Sequence, residues 1–276
     1  MKIKNIKNVI FTGGGLKGWA YIGTIQALEE LIDFEYLENV IGVSIGSAFG
    51  LFYLLGISHE YLLELVMNLN YRDLIDTQLD KILINESIMA GKKFKNFIKE
   101  IISTKIDPDI TFLELYKFSK IVYTVNALNI DLYKIDYFNY KNTPNVKVID
   151  SIVASCSIPM IFPPYKINEY HYYDGGLCNN CPLNLTDELN TIAFDVNTEM
   201  NTGNIKLFNL IYSFVYITND YYNKSNDSNV VFQILDNRFK DQAFNLNQSK
   251  DDIFNIYMNG YINSRNIIYN NFIALK

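Results

Sequence analysis

Ser44 stands at the centre of Gly42-Val43-Ser44-Ile45-Gly46, a Gly-x-Ser-x-Gly spacing. A serine hydroxyl is a weak nucleophile until a base takes its proton. This spacing turns a serine outward at a sharp strand-to-helix corner. Gly42 and Gly46 lack a Cβ, so strand and helix can approach closely around it. The hydroxyl then stands at a helix N-terminus, whose partial positive charge favours a developing anion. The chemistry implied is acyl transfer. A tight β-α turn that merely needs small residues would carry the same pattern.

A second stretch of chemical interest is Gly13-Gly14-Gly15-Leu16-Lys17-Gly18. Gly13, Gly15 and Gly18 satisfy Gly-x-Gly-x-x-Gly, as a dinucleotide-binding turn does. Such a fold needs an acidic residue at the C-terminal end of its second strand, to hold a ribose. Here that place holds Ser44, and the nearest acid, Glu38, lies at the other end of the strand. The balance favours acyl transfer, with the backbone N–H groups of Gly14, Gly15 and Leu16 forming an oxyanion hole beside Ser44. Lys17 reads either as an added positive charge or as a solvated first-turn lysine.

The serine needs a base. A Ser-His-Asp arrangement requires a histidine, and the chain has two. His59 follows the elbow helix fifteen positions after Ser44, about 20 Å along it at roughly 1.5 Å per residue. His171 lies on a strand three residues before Asp174, so the two side chains point to opposite faces. Asp174 remains. It ends a strand, and Gly175-Gly176 let another backbone approach it.

The flanking patterns supply elements to position these groups. Lys7–Thr12 reads as a strand, Trp19–Ile32 as a helix and Glu38–Ile41 as a buried strand, so residues 8–44 form a βαβ unit. Ile45–Leu55 is apolar nearly all round and belongs inside the protein. Residues 58–118 read as a mostly helical insert. Lys120–Asn126 and Leu132–Phe138 read as strands, and Ser151–Ile158 as a short small-residue segment. Tyr165–Ile167 and Tyr170–Tyr173 form a hairpin about Asn168-Glu169 that delivers Asp174. Thr191–Val196 and Asn229–Leu235 read as strands, Lys206–Thr218 as a helix, and about 249–272 as a last amphipathic helix. No repeat or linker divides the chain, so a single domain over 1–276 is expected.

Composition narrows the classes. The net charge is −6 and the pI about 5.0, which argues against nucleic acid as the partner. No run approaches the roughly 18 apolar residues of a membrane span, and the basic start lacks the apolar core of a secretory signal. Three cysteines suggest no disulfide framework. An intracellular, cytoplasmic setting is expected. Cys178-x-x-Cys181 lacks the further ligands that a structural zinc requires, and no acid or histidine cluster has ligand spacing. Neither metal nor cofactor is expected.

Phe94, Phe97, Ile98, Ile101 and Ile102 follow helical spacing, with Lys92, Lys93, Lys95, Lys99 and Lys105 on other faces. A basic amphipathic helix can make peripheral contact with an anionic membrane. It can equally cover its own core. Phe49, Phe52, Ile158, Met160 and Phe162 could line an acyl chain, although core packing is their default role.

Taken in order, the glycine turn at 13–18, the elbow at 42–46 and Asp174-Gly175-Gly176 resemble the three blocks of the patatin-like phospholipases. Ala154-Ser155-Cys156-Ser157-Ile158-Pro159 through Phe162-Pro163-Pro164 resembles the family's block before its aspartate. Asn180-Cys181-Pro182 resembles its Asn-x-Pro, and Gly260-Tyr261 its late Gly-Tyr. The resemblance runs from about residue 7 to 270. It implies a three-layer α/β/α fold with a mostly parallel central sheet. It also implies calcium-independent hydrolysis of phospholipid or other acyl-lipid esters by a Ser-Asp dyad. On that match Ser44 is the nucleophile, Asp174 the base, and Gly13 to Gly18 the oxyanion hole. Lys17 stands where Arg is commoner, and Thr12 where Asp or Ser is frequent. Both departures bear on substrate preference. The alternatives are a catalytically silent lipid-binding relative and a dinucleotide-dependent oxidoreductase.

Overall fold

The computed structural model describes residues 2–77, 87–197 and 230–273. β1 (Asn8–Phe11) is buried at every residue, as a strand covered on both faces must be. A 3-10 turn at Gly15–Trp19 leads into α1 (Ala20–Leu31), and β2 (Asn39–Gly42) returns parallel to β1. The expected βαβ unit is therefore present. α2 (Ile45–Leu54) starts immediately after Ser44 and is buried from Gly46 onward, matching its all-round apolar sequence.

α3 (His59–Met67), α4 (Lys92–Ser103) and α5 (Phe112–Ser119) follow, so the described part of 58–118 is largely helical. α4 settles one alternative. Its Ile98, Ile101 and Ile102 are buried in the main core, with Phe94 and Phe97 packed against the same cluster. The apolar face is thus unavailable to a membrane. Lys95 pairs with Asp150 at 2.7 Å, and Lys99 with Asp109 at 2.9 Å. The Asp76 carboxylate accepts the N–H groups of Ala90, Gly91, Lys92 and Lys93, which a helix start leaves without partners.

β3 (Val122–Asn129) and β4 (Lys134–Phe138) come next, then α6 (Val148–Ser155). The sequence offered only a short small-residue segment here. α6 buries seven of its eight residues, so it lacks the one-sided periodicity that marks a surface helix. β5 (Tyr165–Ile167) and β6 (Tyr170–Asp174) form the expected hairpin, with Asn168 left-handed at its turn. β7 (Thr191–Asp195), β8 (Val231–Gln233) and α7 (Lys250–Ile268) complete the described elements. The helix expected at 206–218 lies outside the described residues.

The eight described strands join one sheet through the chain of pairings β5-β6-β3-β2-β1-β7-β8, with β4 also paired to β3. The β3–β2–β1–β7–β8 pairings are parallel. Val9, Phe11, Val40, Ile192 and Phe194 face the main core, which α1, α2, α6 and α7 also fill. Ile10, Ile41 and Ala193 face the other side, against Cys181 and Leu183. The period-2 alternation of strands makes this division. α1 and α7 cross in close contact. A Cβ on Gly260 would stand 2.1 Å from the Ala20 carbonyl oxygen, and one on Gly23 2.2 Å from that of Tyr257. The late glycine is thus a packing requirement.

The register about β3 positions the site. Val125 lies opposite both Gly42 and Phe138, so β2 and β4 occupy opposite edges of β3. Ala127 lies opposite both Asp174 and Asp136, so β6 is also across from β4. β2 and β6 therefore share one edge of β3. β2 runs parallel to β3 and β6 antiparallel, so their C-terminal ends point at each other. Only Asn126 separates the two pairing positions. Ser44 follows the end of one strand, and Asp174 is the end of the other.

Candidate active site

Ser44 takes φ 51° and ψ −132°, a left-handed conformation that costs a non-glycine residue on the order of 1–3 kcal/mol. The surroundings impose it. A Cβ on Gly46 would stand 2.4 Å from the carbonyl oxygens of Phe11 and Thr12, and one on Gly42 2.3 Å from Ser47 Cα. The close approach expected at both glycines is present. The Ser44 N–H donates to Ser155 Oγ at 2.8 Å, and the Ser47 hydroxyl donates to the Ser44 carbonyl at 2.5 Å. The elbow is thus held from both sides.

Ser44 Oγ donates to Asp174 Oδ2 at 2.6 Å. The other carboxylate oxygen accepts the Gly176 N–H at 2.7 Å, and the Asp174 N–H donates to the Ser157 carbonyl at 2.9 Å. Both side chains are 5% exposed. Burial raises the Asp174 pKa to about 7, against the lowering effect of its bonds from Ser44 and Gly176. A carboxylate is ordinarily a poor base at neutral pH, and desolvation brings this one into range. The buried thiol of Cys156 lies beside Ser44 and Ser47, and burial pushes its pKa up.

Gly13, Gly14 and Gly15 form the opposite wall. The Gly13 N–H donates to Asn180 Oδ1 at 2.9 Å, and the Lys17 N–H to the Gly14 carbonyl at 3.3 Å. Gly15 and Leu16 lead the 3-10 turn, where the first N–H groups have no acceptor within the turn. Gly15 is left-handed at φ 58°, and a Cβ there would meet the Ala243 carbonyl oxygen at 2.3 Å. Gly18 packs on the elbow, since a Cβ there would meet Ile45 at 2.8 Å.

Lys17 is not a solvated lysine. It is 2% exposed, and burial lowers its ammonium pKa to about 8, with the Asp195 carboxylate opposing the shift. Asp195 ends β7 and is itself raised by burial. Its Oδ1 accepts from Thr12 Oγ1 at 2.8 Å and from Asn197 Nδ2 at 2.7 Å. Thr12 therefore anchors the start of the glycine turn through its hydroxyl.

The two histidines lie elsewhere. His59 Nδ1 is 2.6 Å from Glu29, and His171 Nδ1 is 3.1 Å from Asp131. The direct contact between Ser44 and Asp174 leaves no room for a ring between them. Among the described residues no group of three or more His, Cys, Asp or Glu side chains could hold a metal ion.

The cavity over Ser44 and Asp174 measures about 40 Å³ and is lined also by Ile158, Leu177, Asn180, Asn197 and Phe244. That is room for a reacting group, far below the roughly 300–1,000 Å³ of ordinary ligand pockets. Of the five apolar residues considered for an acyl chain, only Ile158 lines it. Phe49 and Phe52 are core residues, Phe162 packs on Phe94, and Met160 is 42% exposed. Ser155 and Asn180 fall within family-like blocks that carry no role for either side chain, and Asp195 and Asn197 fall in no motif. Asp195 had a legible signal, an acid closing an apolar strand at the same sheet edge as Ser44.

Residues 9–187 match the model of the patatin-like phospholipases. The chain belongs to the patatin-like phospholipase family. It is 30% identical over 191 residues to "Probable lipid hydrolase 463L" of Invertebrate iridescent virus 6, covering 67% of this chain and 64% of that protein. The chain thus spans a little under two thirds of the length of the first curated relatives it matches. VipD from Legionella pneumophila shares the fold with a TM-score of 0.66 at 15% identity, over 96% of this chain and 67% of VipD. The type III effector ExoU of Pseudomonas aeruginosa does so at 0.58 and 14%, over 99% of this chain and 54% of the ExoU chain. The patatin-like fold accounts for the mixed α/β sheet and its helices. Among the described residues no helix is long and apolar enough to cross a membrane.

Proposed function

We propose that this patatin-like chain is a serine lipid acyl hydrolase of the phospholipase A or lysophospholipase type, acting through Ser44 and Asp174. The observation that carries the reading is the 2.6 Å bond from the Ser44 hydroxyl to a buried carboxylate whose pKa is raised to about 7. Membership of the family and the lipid-hydrolase name of the viral relative support the substrate class.

Ser44 Oγ attacks the ester carbonyl carbon while its proton passes to Asp174 Oδ2. The carbonyl oxygen becomes an anion and receives N–H groups from Gly14, Gly15 and Leu16. The carbon–oxygen bond to the alcohol breaks, Asp174 returns the proton to that oxygen, and an acyl-enzyme remains. Water then attacks the acyl carbon and gives a proton to Asp174. Fatty acid leaves as Ser44 recovers its proton. The lipid headgroup and ester position follow from contacts beyond this core chemistry.

The test is fatty-acid release from phospholipids, lysophospholipids and triacylglycerol by the wild type and by Ser44→Ala. The expected result is release by the wild type and loss of it in a folded Ser44→Ala. Binding of lipid vesicles with no release by the wild type would instead mark a silent lipid-binding relative.

A further inference from the structure

Gly13 makes two hydrogen bonds to one side chain. Its N–H donates to Asn180 Oδ1 at 2.9 Å, and its carbonyl accepts from Asn180 Nδ2 at 3.3 Å. Asn180 is 5% exposed and lies just past the Asp174-Gly175-Gly176 turn. The Thr12 hydroxyl also stands 3.4 Å from the Gly13 carbonyl. That hydroxyl has one proton, and its 2.8 Å bond to Asp195 is the stronger claim on it. The Asn180 amide is therefore what holds the Gly13 carbonyl.

The consequence falls on the next N–H. Peptides are planar, and the described chain has no cis bond, so the Gly13 carbonyl and the Gly14 N–H point in opposite directions. Holding one aims the other. Between two glycines no Cβ resists rotation, and an unheld peptide turns over at little steric cost. Turned over, it would present a carbonyl oxygen where the oxyanion requires a donor.

We infer that Asn180 is a positioning residue that fixes the Gly13–Gly14 peptide and so aims the Gly14 N–H at the oxyanion, an inference that rests on the hydrolase reading above. Asn180 also takes the Gly13 N–H out of the hole. Its Oδ1 lies 2.8 Å from where a Cβ on Gly176 would stand, so one side chain bridges the loop of the base and the loop of the hole.

The test compares the wild type, Asn180→Ala and Asn180→Asp on a soluble acyl ester and on its thionoester. Sulfur is larger than oxygen and a poorer acceptor, so an aligned hole discriminates against the thionoester. In Asn180→Ala, kcat on the ester should fall by about 10²-fold, the scale of one lost oxyanion donor. KM should stay within about threefold, since the interaction belongs to the transition state. The thionoester should slow less, narrowing the ester-to-thionoester ratio about tenfold. Asn180→Asp keeps the shape and the acceptor for Gly13 N–H but loses the donor to the carbonyl, and should narrow the ratio as well. Equal slowing of both substrates in both variants, or an unchanged ester rate in folded Asn180→Ala, overturns the inference. If the wild type cleaves the ester, Ser44→Ala does not, and the Asn180 variants keep the wild-type ratio, the inference fails alone. A wild type that cleaves no acyl ester removes the hydrolase reading and this inference together.

Discussion

The hydroxyl of Ser155 accepts the backbone N–H of Ser44 at 2.8 Å, so the last residue of α6 tethers Ser44 through its main chain. Two positions later the Ser157 carbonyl accepts the N–H of Asp174. One short stretch therefore holds both Ser44 and Asp174 by their main chains.

Ser155→Ala leaves the buried Ser44 N–H without a partner, at a cost of about 1–3 kcal/mol. The unfolding temperature should drop accordingly. Relaxation of the strained Ser44 backbone should also lower kcat about tenfold with KM little changed. Steady-state kinetics beside a thermal melt check both. Full activity in the variant would mean that the elbow keeps its shape without this bond.

The raised pKa of Asp174 sets two pH dependences. In the proposed mechanism Asp174 must be ionised to act as the base, so kcat/KM should rise with pH through an inflection near 7. Stability runs the other way. The folded pKa lies above the unfolded value near 3.9, so the folded state holds a proton that the unfolded state has released between the two. Stability from this group is full below about pH 4 and is lost as pH rises toward 7. The total is on the order of 4 kcal/mol. Asp174→Asn can accept from Gly176 with its oxygen and face Ser44 with its NH₂. It should therefore be inactive yet melt higher than wild type at pH 8, with the gap closing toward pH 4. A melt of Asp174→Asn below wild type at pH 8 would contradict the desolvation argument.

His59→Ala and His171→Ala should each keep kcat/KM within about threefold of wild type at pH 8. Both rings are engaged with carboxylates away from the dyad, Glu29 and Asp131 respectively. A loss approaching the 10⁴-fold typical of a triad member, with the melt unchanged, would return a histidine to the mechanism.

The lysines of α4 divide into two kinds. Lys92 and Lys93 are exposed, and Lys95 and Lys99 are half-buried beside Asp150 and Asp109. With the apolar face of α4 in the core, Lys92→Gln with Lys93→Gln should leave activity on anionic vesicles within about twofold. Lys95→Gln should lower the melt slightly, by no more than about 1 kcal/mol for a partly exposed pair. A large loss on vesicles from the first pair, with activity on a soluble ester spared, would assign this helix to the membrane after all.

Much of the site was legible because its parts are local. The Ser44 corner, the glycine turn and the Asp174-Gly175-Gly176 turn each depend on residues within six positions, and close backbone approach demands glycine in each. The β1 and β2 strands and α2 were readable from continuous burial. α6 was not, because burial on nearly every side erases the helical period. Lys17 was open between two readings for a related reason, since a charged residue after a glycine turn carries no mark of the carboxylate 178 positions later that accompanies it inside.

The sequence by itself determined the candidate residues and the backbone turns that present them, because motif geometry is set by neighbours in the chain. Helix length and strand parity also pointed both histidines away from Ser44, and the structure places them beside Glu29 and Asp131. Only the tertiary structure decided that Ser44 and Asp174 touch, since this depends on β2 and β6 sharing one edge of β3 and ending on either side of Asn126. The supporting bonds from Ser155 and Asn180 belong to the same class. Each joins segments more than a hundred residues apart, and a polar side chain shows such a partner only when folding has removed the water that would otherwise bind it.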